Sequence, residues 1–239
     1  MVHARIGERV WRRRRVAAVK PYWSGDGITL YLGDCREVTE WLTADVLVTD
    51  PPYGLSSRIG GRVSNPRPGR AADVGDESTA VRDEALVLWG SRPAVCFGDL
   101  RLEPPERTTQ VLIYKKPSQA GIIGSKTPFR RDVEAIYLSG RGWPARGTRS
   151  AVIATSTPTA WQLSKPAGHT HAKPLDVLQV LIGACPPGVI ADPFAGSGST
   201  LVAARLQGRE AIGVEVEEKY CEIAARRLDQ GVLDFGDTA

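Results

Sequence analysis

The chain has 239 residues, 42% of them hydrophobic and 24% charged, which suits one large α/β domain with a continuous core rather than two domains or a disordered tail protein. Its four cysteines, Cys35, Cys96, Cys185 and Cys221, stand far apart with no Cys-x-x-Cys or Cys/His cluster, so neither a metal centre nor a disulfide framework is expected. A net charge of +4 is a mild basic excess, compatible with a polyanionic partner.

Residues 1–27 read as a basic N-terminal arm. Arg5, Arg9, Arg12, Arg13, Arg14, Arg15 and Lys20 crowd its first twenty positions, opposed there only by Glu8. Such a run either contacts phosphates through counterion release or is a solvated tail. No apolar stretch of signal-peptide or membrane-span length follows it, so a cytoplasmic protein without membrane contact is expected. Residues 28–230 then read as a single domain. Ile28 to Leu32 alternates as a strand, and Gly33-Asp34 ends it, with Asp34 placed to cap a helix carrying Val38, Trp41 and Leu42.

Asp45 to Thr49 is a strand with no polar alternation over Val46, Leu47 and Val48, the pattern of a strand covered on both faces of a parallel sheet. It stops at Asp50-Pro51-Pro52-Tyr53. Two prolines remove two backbone donors and freeze φ, so the carbonyls of Asp50 and Pro51 become rigid acceptors. A carboxylate, a fixed carbonyl and an aromatic ring together suit a planar ring bearing an amino group, whose N–H bonds the first two accept while Tyr53 stacks on its face. The plainer alternative is a proline turn with a capping Asp.

Residues 55–79 are rich in Gly, Ser, Arg and Pro, carry Arg58, Arg62, Arg67 and Arg70, and fit no core element; so long a loop beside candidate catalytic residues reads as functional. Glu84 to Trp89 then reads as helix, and Pro93 to Phe97, Val111 to Tyr114 and Val133 to Leu138 read as strands, the last as an antiparallel edge. Lys173-Pro174 starts a helix that buries Leu178, Leu181 and Ile182.

A second buried-type strand, from Val189, ends in Asp192-Pro193-Phe194-Ala195-Gly196-Ser197-Gly198-Ser199-Thr200. Gly196 and Gly198 permit a tight turn into a helix from about Ser199, the usual seat of a nucleotide-like ligand. Leu201 stands where a dinucleotide fingerprint wants a third glycine, so a pyrophosphate site is disfavoured. Glu210 to Val216 reads as the next strand, and Glu215 lies near its end at the distance from the loop at which an acid grips a ribose diol. A last amphipathic helix carries Tyr220, Ile223, Ala224 and Leu228, and 231–239 read as a frayed tail.

Asp50-Pro51-Pro52-Tyr53 and Asp192-Pro193-Phe194-Ala195-Gly196-Ser197-Gly198 together resemble the motifs of the S-adenosylmethionine-dependent amino-methyltransferases of DNA, and their order resembles the beta class of that family. The resemblance covers most of residues 28–228. It implies an α/β fold, a doubly wound and mostly parallel seven-stranded Rossmann-like sheet, circularly permuted and with an antiparallel edge strand. It implies S-adenosylmethionine as cofactor and double-stranded DNA as partner; it is compatible with a homodimer and with a companion restriction enzyme, and fixes neither. In roles, it implies that Asp50, Pro51, Pro52 and Tyr53 are catalytic. It brings Asp34 to the cofactor adenine, Phe194 and the backbone of Ala195 to Ser199 to the methionine and adenosine, and Glu215 to the ribose. The family's His-x-x-x-Lys-Pro is matched by His169, Lys173 and Pro174, while Thr170, His171 and Ala172 depart from it; Lys173 and Pro174 are therefore the expected cofactor neighbours. Residues 141–171 occupy the place of a target-recognition insertion, though a short one, so base reading is expected to be shared with residues 55–79. Arg12 to Arg15 and the arginines of 55–79 are expected to contact DNA through phosphates more than bases. Asp rather than Ser before Pro-Pro-Tyr resembles members acting on adenine N6 more than cytosine N4. An RNA methyltransferase, a protein-amide methyltransferase and a non-catalytic relic are the remaining alternatives; the amide enzyme would carry Asn before Pro-Pro-Tyr, and a relic would show a damaged motif.

Overall fold

The apolar runs of the sequence assemble into one twisted sheet with helices on both faces. In the computed structural model residues 19–52, 79–117, 128–144, 147–155 and 172–230 are described. The strands are β1 (Trp23–Gly25), β2 (Ile28–Leu32), β3 (Val46–Thr49), β4 (Ala94–Gly98), β5 (Thr108–Lys115), β6 (Val133–Ser139), β7 (Val152–Ala154), β8 (Ile190–Asp192) and β9 (Ala211–Glu215). They lie in the order β1-β2-β9-β8-β3-β4-β6-β5-β7. β1–β2, β4–β6 and β5–β6 pair antiparallel and the other five pairs are parallel. The helices are α1 (Ala80–Trp89), α2 (Leu175–Ile182), α3 (Ser199–Leu206) and α4 (Glu218–Asp229).

Side chains alternate across the central strands, so β3 splits its residues between two cores. Val46 and Val48 join Ile28, Leu30, Val95, Phe97 and Ile190 against Leu178 and Ile182 of α2, Leu201 of α3 and Ala224 and Leu228 of α4. Leu47, with Ala94, Ala191 and Val214, packs on the other face against Ala85 and Trp89 of α1 and Trp41. Trp41 and Trp89 stack at 5.8 Å between ring centroids. This two-sided burial is why β3 and β4 read as unbroken apolar runs.

Four features differ from the sequence expectation. The sheet has nine strands among the described residues rather than seven, because β1 lies within the expected arm and β7 within the expected insertion. The fold accordingly reaches N-terminal of residue 28: β1 pairs with β2, and the Trp23 indole donates to Asp229 at 2.8 Å. The strand at Val133 is antiparallel but interior, between β4 and β5; its Ala135, Ile136 and Tyr137 are buried, and β5 and then β7 lie outside it, β5 exposing Thr109, Gln110 and Val111. Finally, Asp34 caps no helix. Its carboxylate accepts the backbone N–H of Arg36, Val38 N–H closes a turn on the Asp34 carbonyl, and only a short 3-10 turn, Glu40–Thr43, follows.

The topology locates the site. From β3 the chain proceeds to β4 on one side, and from β8 to β9 on the other, so the strand order reverses between the neighbours β3 and β8. In an open parallel sheet, ligands bind in the crevice at the carboxyl ends of the strands flanking such a reversal. Asp50 follows the end of β3, and Asp192 is the last residue of β8.

Candidate active site

β3 is buried along its whole length and delivers Asp50 to the sheet edge, where Pro51 is buried and Pro52 half-buried. The carboxylate of Asp50 meets a buried cation: Lys173 Nζ lies 2.8 Å from Asp50 Oδ2 and 3.3 Å from Glu134 Oε2. Lys116 Nζ closes the far side of Glu134 at 2.6 Å from Oε1. Lys173 is placed by the start of α2, where extended Pro174 accepts the Leu178 N–H, and its ammonium stands 5.1 Å from the centre of the Phe97 ring. Burial alone would lower the Lys173 pKa, but Asp50 and Glu134 outweigh it and hold the value above the ordinary lysine range. Burial likewise pushes the Glu134 carboxyl up, and Lys173 and Lys116 more than reverse that, leaving it below its ordinary value. Asp50, Lys173, Glu134 and Lys116 therefore form a row of side chains of alternating sign.

The glycine loop occupies the next strand end. Gly196 and Gly198 sit at φ 51° and 78°, a region L side chains avoid, and a Cβ on Gly198 would stand 2.8 Å from the methyl of Ala224. Ala195 N–H bonds the Val214 carbonyl and Gly198 N–H the Ala195 carbonyl. From α4, Arg227 donates to the Ser197 carbonyl at 2.7 Å and to Ser199 Oγ at 3.1 Å; burial without a carboxylate partner among the described residues lowers its pKa to about 10. Glu215, 8% exposed, accepts Gly196 N–H on one oxygen and Glu217 N–H on the other, each at 2.8 Å. Its pKa is raised by burial, against the pull of those two N–H bonds.

Asp192 joins the two halves. Its Oδ1 accepts the Thr49 hydroxyl at 2.7 Å and the Phe194 N–H at 3.1 Å, so one buried carboxylate ties the end of β3 to the start of the glycine loop. Burial pushes its pKa up to about 6, opposed by Thr49, Thr200 and Phe194, and the charge of Asp50 pushes the same way as burial. Asp34, at the end of β2, is gripped by the Arg36 guanidinium, which holds its carboxyl below the usual range, and Arg36 also reaches Glu84 at 3.2 Å.

The structure thus gathers Asp34, Glu215, the Asp192–Thr200 loop and Asp50-Pro51-Pro52 along one sheet edge. Lys173, expected beside the cofactor, makes its ion pairs to Asp50 and Glu134, on the proline-turn side. Tyr53, His169, Arg12, Arg13, Arg14, Arg15, Arg58, Arg62, Arg67 and Arg70 lie outside the described residues, as do most of the 55–79 loop and the 231–239 tail. Glu134, Lys116 and Arg227 are the site residues that sequence reasoning missed. Glu134 had a signal, as a lone acid inside an apolar strand; Arg227 had one too, three positions after Ala224 on the buried face of α4.

A DNA methylase family profile (N6_N4_Mtase) matches residues 106–226. The chain is 48% identical over 256 aligned positions to the type II methyltransferase M.ScaI of Streptomyces caespitosus, spanning 88% of this chain and 84% of that protein. The chain belongs to the N6/N4 DNA methylase family. It is also 29% identical to the putative methylase YubD of Escherichia coli K12, over 82% of this chain and 88% of that protein. Among solved structures, the PvuII cytosine-N4-specific DNA methyltransferase superposes with a TM-score of 0.61 at 16% identity, covering 92% of this chain and 91% of that one. The M1.HpyAVI–SAM complex gives 0.56 at 20% identity, covering 84% and 99%. These likenesses bear on the fold, a mostly parallel sheet flanked by helices.

Proposed function

We propose that this DNA methyltransferase transfers a methyl group from S-adenosylmethionine to the exocyclic N6 of an adenine swung out of double-stranded DNA. The observation that supports it best is the Asp50 carboxylate at the sheet's reversal point, ion-paired to a buried lysine, next to the rigid Pro51 carbonyl and one strand from the glycine loop.

The residues present suit the cofactor. Glu215 and Asp34 supply acids at adjacent strand ends for ribose and adenine, and the backbone of Ala195 to Ser199 approaches closely where two glycines remove side chains. S-adenosylmethionine supplies an electrophilic methyl group on a sulfonium. An exocyclic amine is a poor nucleophile because its lone pair is delocalised into the ring. Hydrogen bonds from the amine to Asp50 and to the Pro51 carbonyl favour a pyramidal nitrogen and stabilise the positive charge that develops on it. Tyr53 supplies the stacking surface for the extruded base. The preference for adenine rests on Asp50 standing where Ser would suit cytosine N4; both bases offer the same amino group, so acceptor oligonucleotides differing only in the target base separate them.

Exposed basic side chains at the same sheet edge, Arg101, Lys115, Arg130 and Arg131, favour approach of the duplex from that side, with Arg12 to Arg15 and the arginines of 55–79 as further phosphate contacts. A DNA substrate implies action in the cytoplasm. The test is Asp50→Ala in single-turnover methylation of duplex DNA with saturating cofactor. The rate is expected to fall on the order of a hundredfold or more, with cofactor affinity within a few-fold of the parent. A near-normal rate would make the proline turn structural and remove this reading.

A further inference from the structure

The reaction just described uses Asp50 and leaves its neighbours unexplained. Lys173, Glu134 and Lys116 come from the segment before α2, from β6 and from the end of β5, and converge with side chains only 11%, 17% and 27% exposed, where the partial desolvation of each ion opposes their mutual attraction. Apolar side chains of similar size would fill that space without the cost. Stability therefore gives no reason for the chain of charges, whereas the geometry at Asp50 gives one.

A carboxylate rotates about its own side-chain bonds, and an amine attacking in line tolerates little misplacement of its acceptor. Pinning Oδ2 by an ion pair at 2.8 Å sets the plane of the whole group. Lys173 is itself immobilised between Glu134 and the Phe97 ring. The other titratable groups around Asp50 make the cation more necessary: Asp192 lies across the reversal point and the Cys96 thiol on the neighbouring β4, and Asp50 pushes the pKa of both upward. Lys173 thus supplies a positive charge where two acids end adjacent strands.

We propose that Lys173 and Glu134 are positioning residues for methyl transfer, Lys173 fixing the plane of the Asp50 carboxylate and Glu134 fixing Lys173. The proposal rests on Asp50 accepting the target amine, and it moves Lys173 from the cofactor's side of the site to the acceptor's side.

The full chain is assayed by single-turnover methylation of duplex DNA at saturating S-adenosylmethionine, with cofactor affinity measured by calorimetry. Lys173→Met is expected to lower the rate by about tenfold to a hundredfold, the scale of a misplaced catalytic group, while cofactor affinity stays within about threefold. Glu134→Gln should lower the rate by less, and Lys173→Arg, which keeps the cation, should restore most of it. If Lys173→Met does not fold, the double variant Lys173→Met/Glu134→Gln, which removes the stranded carboxylate as well, carries the test with the same expected loss of rate. A normal rate overturns the proposal, and so does a loss confined to cofactor affinity or one that Lys173→Arg does not restore. Asp50→Ala in the same assay separates the two levels. An active Asp50→Ala defeats the functional reading itself, whereas an inactive Asp50→Ala beside an unaffected Lys173→Met defeats this inference alone.

Discussion

The glycine loop at 194–198 and the proline turn at 50–52 end neighbouring strands of one sheet, yet different forces hold them. The loop is fastened by hydrogen bonds to its backbone: Gly196 N–H to Glu215, Ala195 N–H to the Val214 carbonyl, and Arg227 of α4 on the Ser197 carbonyl. The turn is fastened by full charges from distant parts of the chain, Lys173 and, behind it, Glu134 and Lys116. Hydrogen bonds to the backbone fix a shape, and ion pairs fix the orientation of a charged group. In the proposed reading, a loop that holds the cofactor by its backbone needs the first, and an acceptor aimed at a reacting amine needs the second.

Because the loop is a matter of shape, the change that should break it most is steric. Gly198→Ala puts a Cβ 2.8 Å from the Ala224 methyl at a φ of 78°, and strain and overpacking together should destabilise the fold by about 1–3 kcal/mol. Cofactor affinity by calorimetry should fall about tenfold or more as the turn is forced open, while Lys173 and Asp50, outside the loop, keep their ion pair. Binding unchanged in a folded Gly198→Ala protein would mean the turn does not carry the cofactor.

A smaller effect is expected from Glu215→Ala, which removes the acceptor of two backbone N–H groups and the proposed ribose contact. Losing charge-assisted bonds of this kind should weaken cofactor binding by roughly tenfold. Burial raises the Glu215 pKa, so in the parent protein cofactor affinity should also decline as the pH falls through that raised value, and Glu215→Ala should lack this decline. Equal pH dependence in both proteins would detach Glu215 from the ribose.

The contrast also explains what the sequence could show. The loop is contiguous, so Asp192, Gly196, Gly198 and, one strand later, Glu215 were legible from residue type and spacing, as was the doubly wound class from the apolar runs of β3, β4 and β8. The proline turn was legible only as far as Asp50 and the prolines. Its supporting charges are 66, 84 and 123 positions away, by the numbering of Lys116, Glu134 and Lys173, and no local pattern joins them. Lys173 was found by its neighbourhood in the sequence and therefore assigned to the cofactor. The edges of the sheet failed for a related reason: β1 and β7 have three residues each, too few for a period, and pairing rather than pattern makes them strands.

Asp192 belongs to both regions and gives the finest test of the contrast. Folding raises its carboxyl from an ordinary 3.8 to about 6, so the native state binds its proton more readily than the unfolded chain does. Linkage then requires this group's contribution to stability to be greatest in acid and to decline as pH rises from about 4 to about 6, being lost once the folded form ionises. Asp34 and Glu134, whose values are lowered, contribute in the opposite sense and lose stability as pH falls, so the whole-protein melting curve mixes both. Asp192→Asn isolates the one group. The amide oxygen can still accept from Thr49 and Phe194, and the amide nitrogen can donate to the Thr200 hydroxyl, so shape is kept while the charge goes. The expected outcome is a variant as stable as the parent at neutral pH, or a few degrees more so, with that margin shrinking as the pH is lowered from about 6 to about 4. Its cofactor affinity should be close to the parent's, as befits a region held by shape. A margin that does not change with pH would mean that Asp192 titrates alike in the folded and unfolded chain, and a collapse of cofactor binding in a stable Asp192→Asn protein would mean that the loop, like the proline turn, depends on a charge.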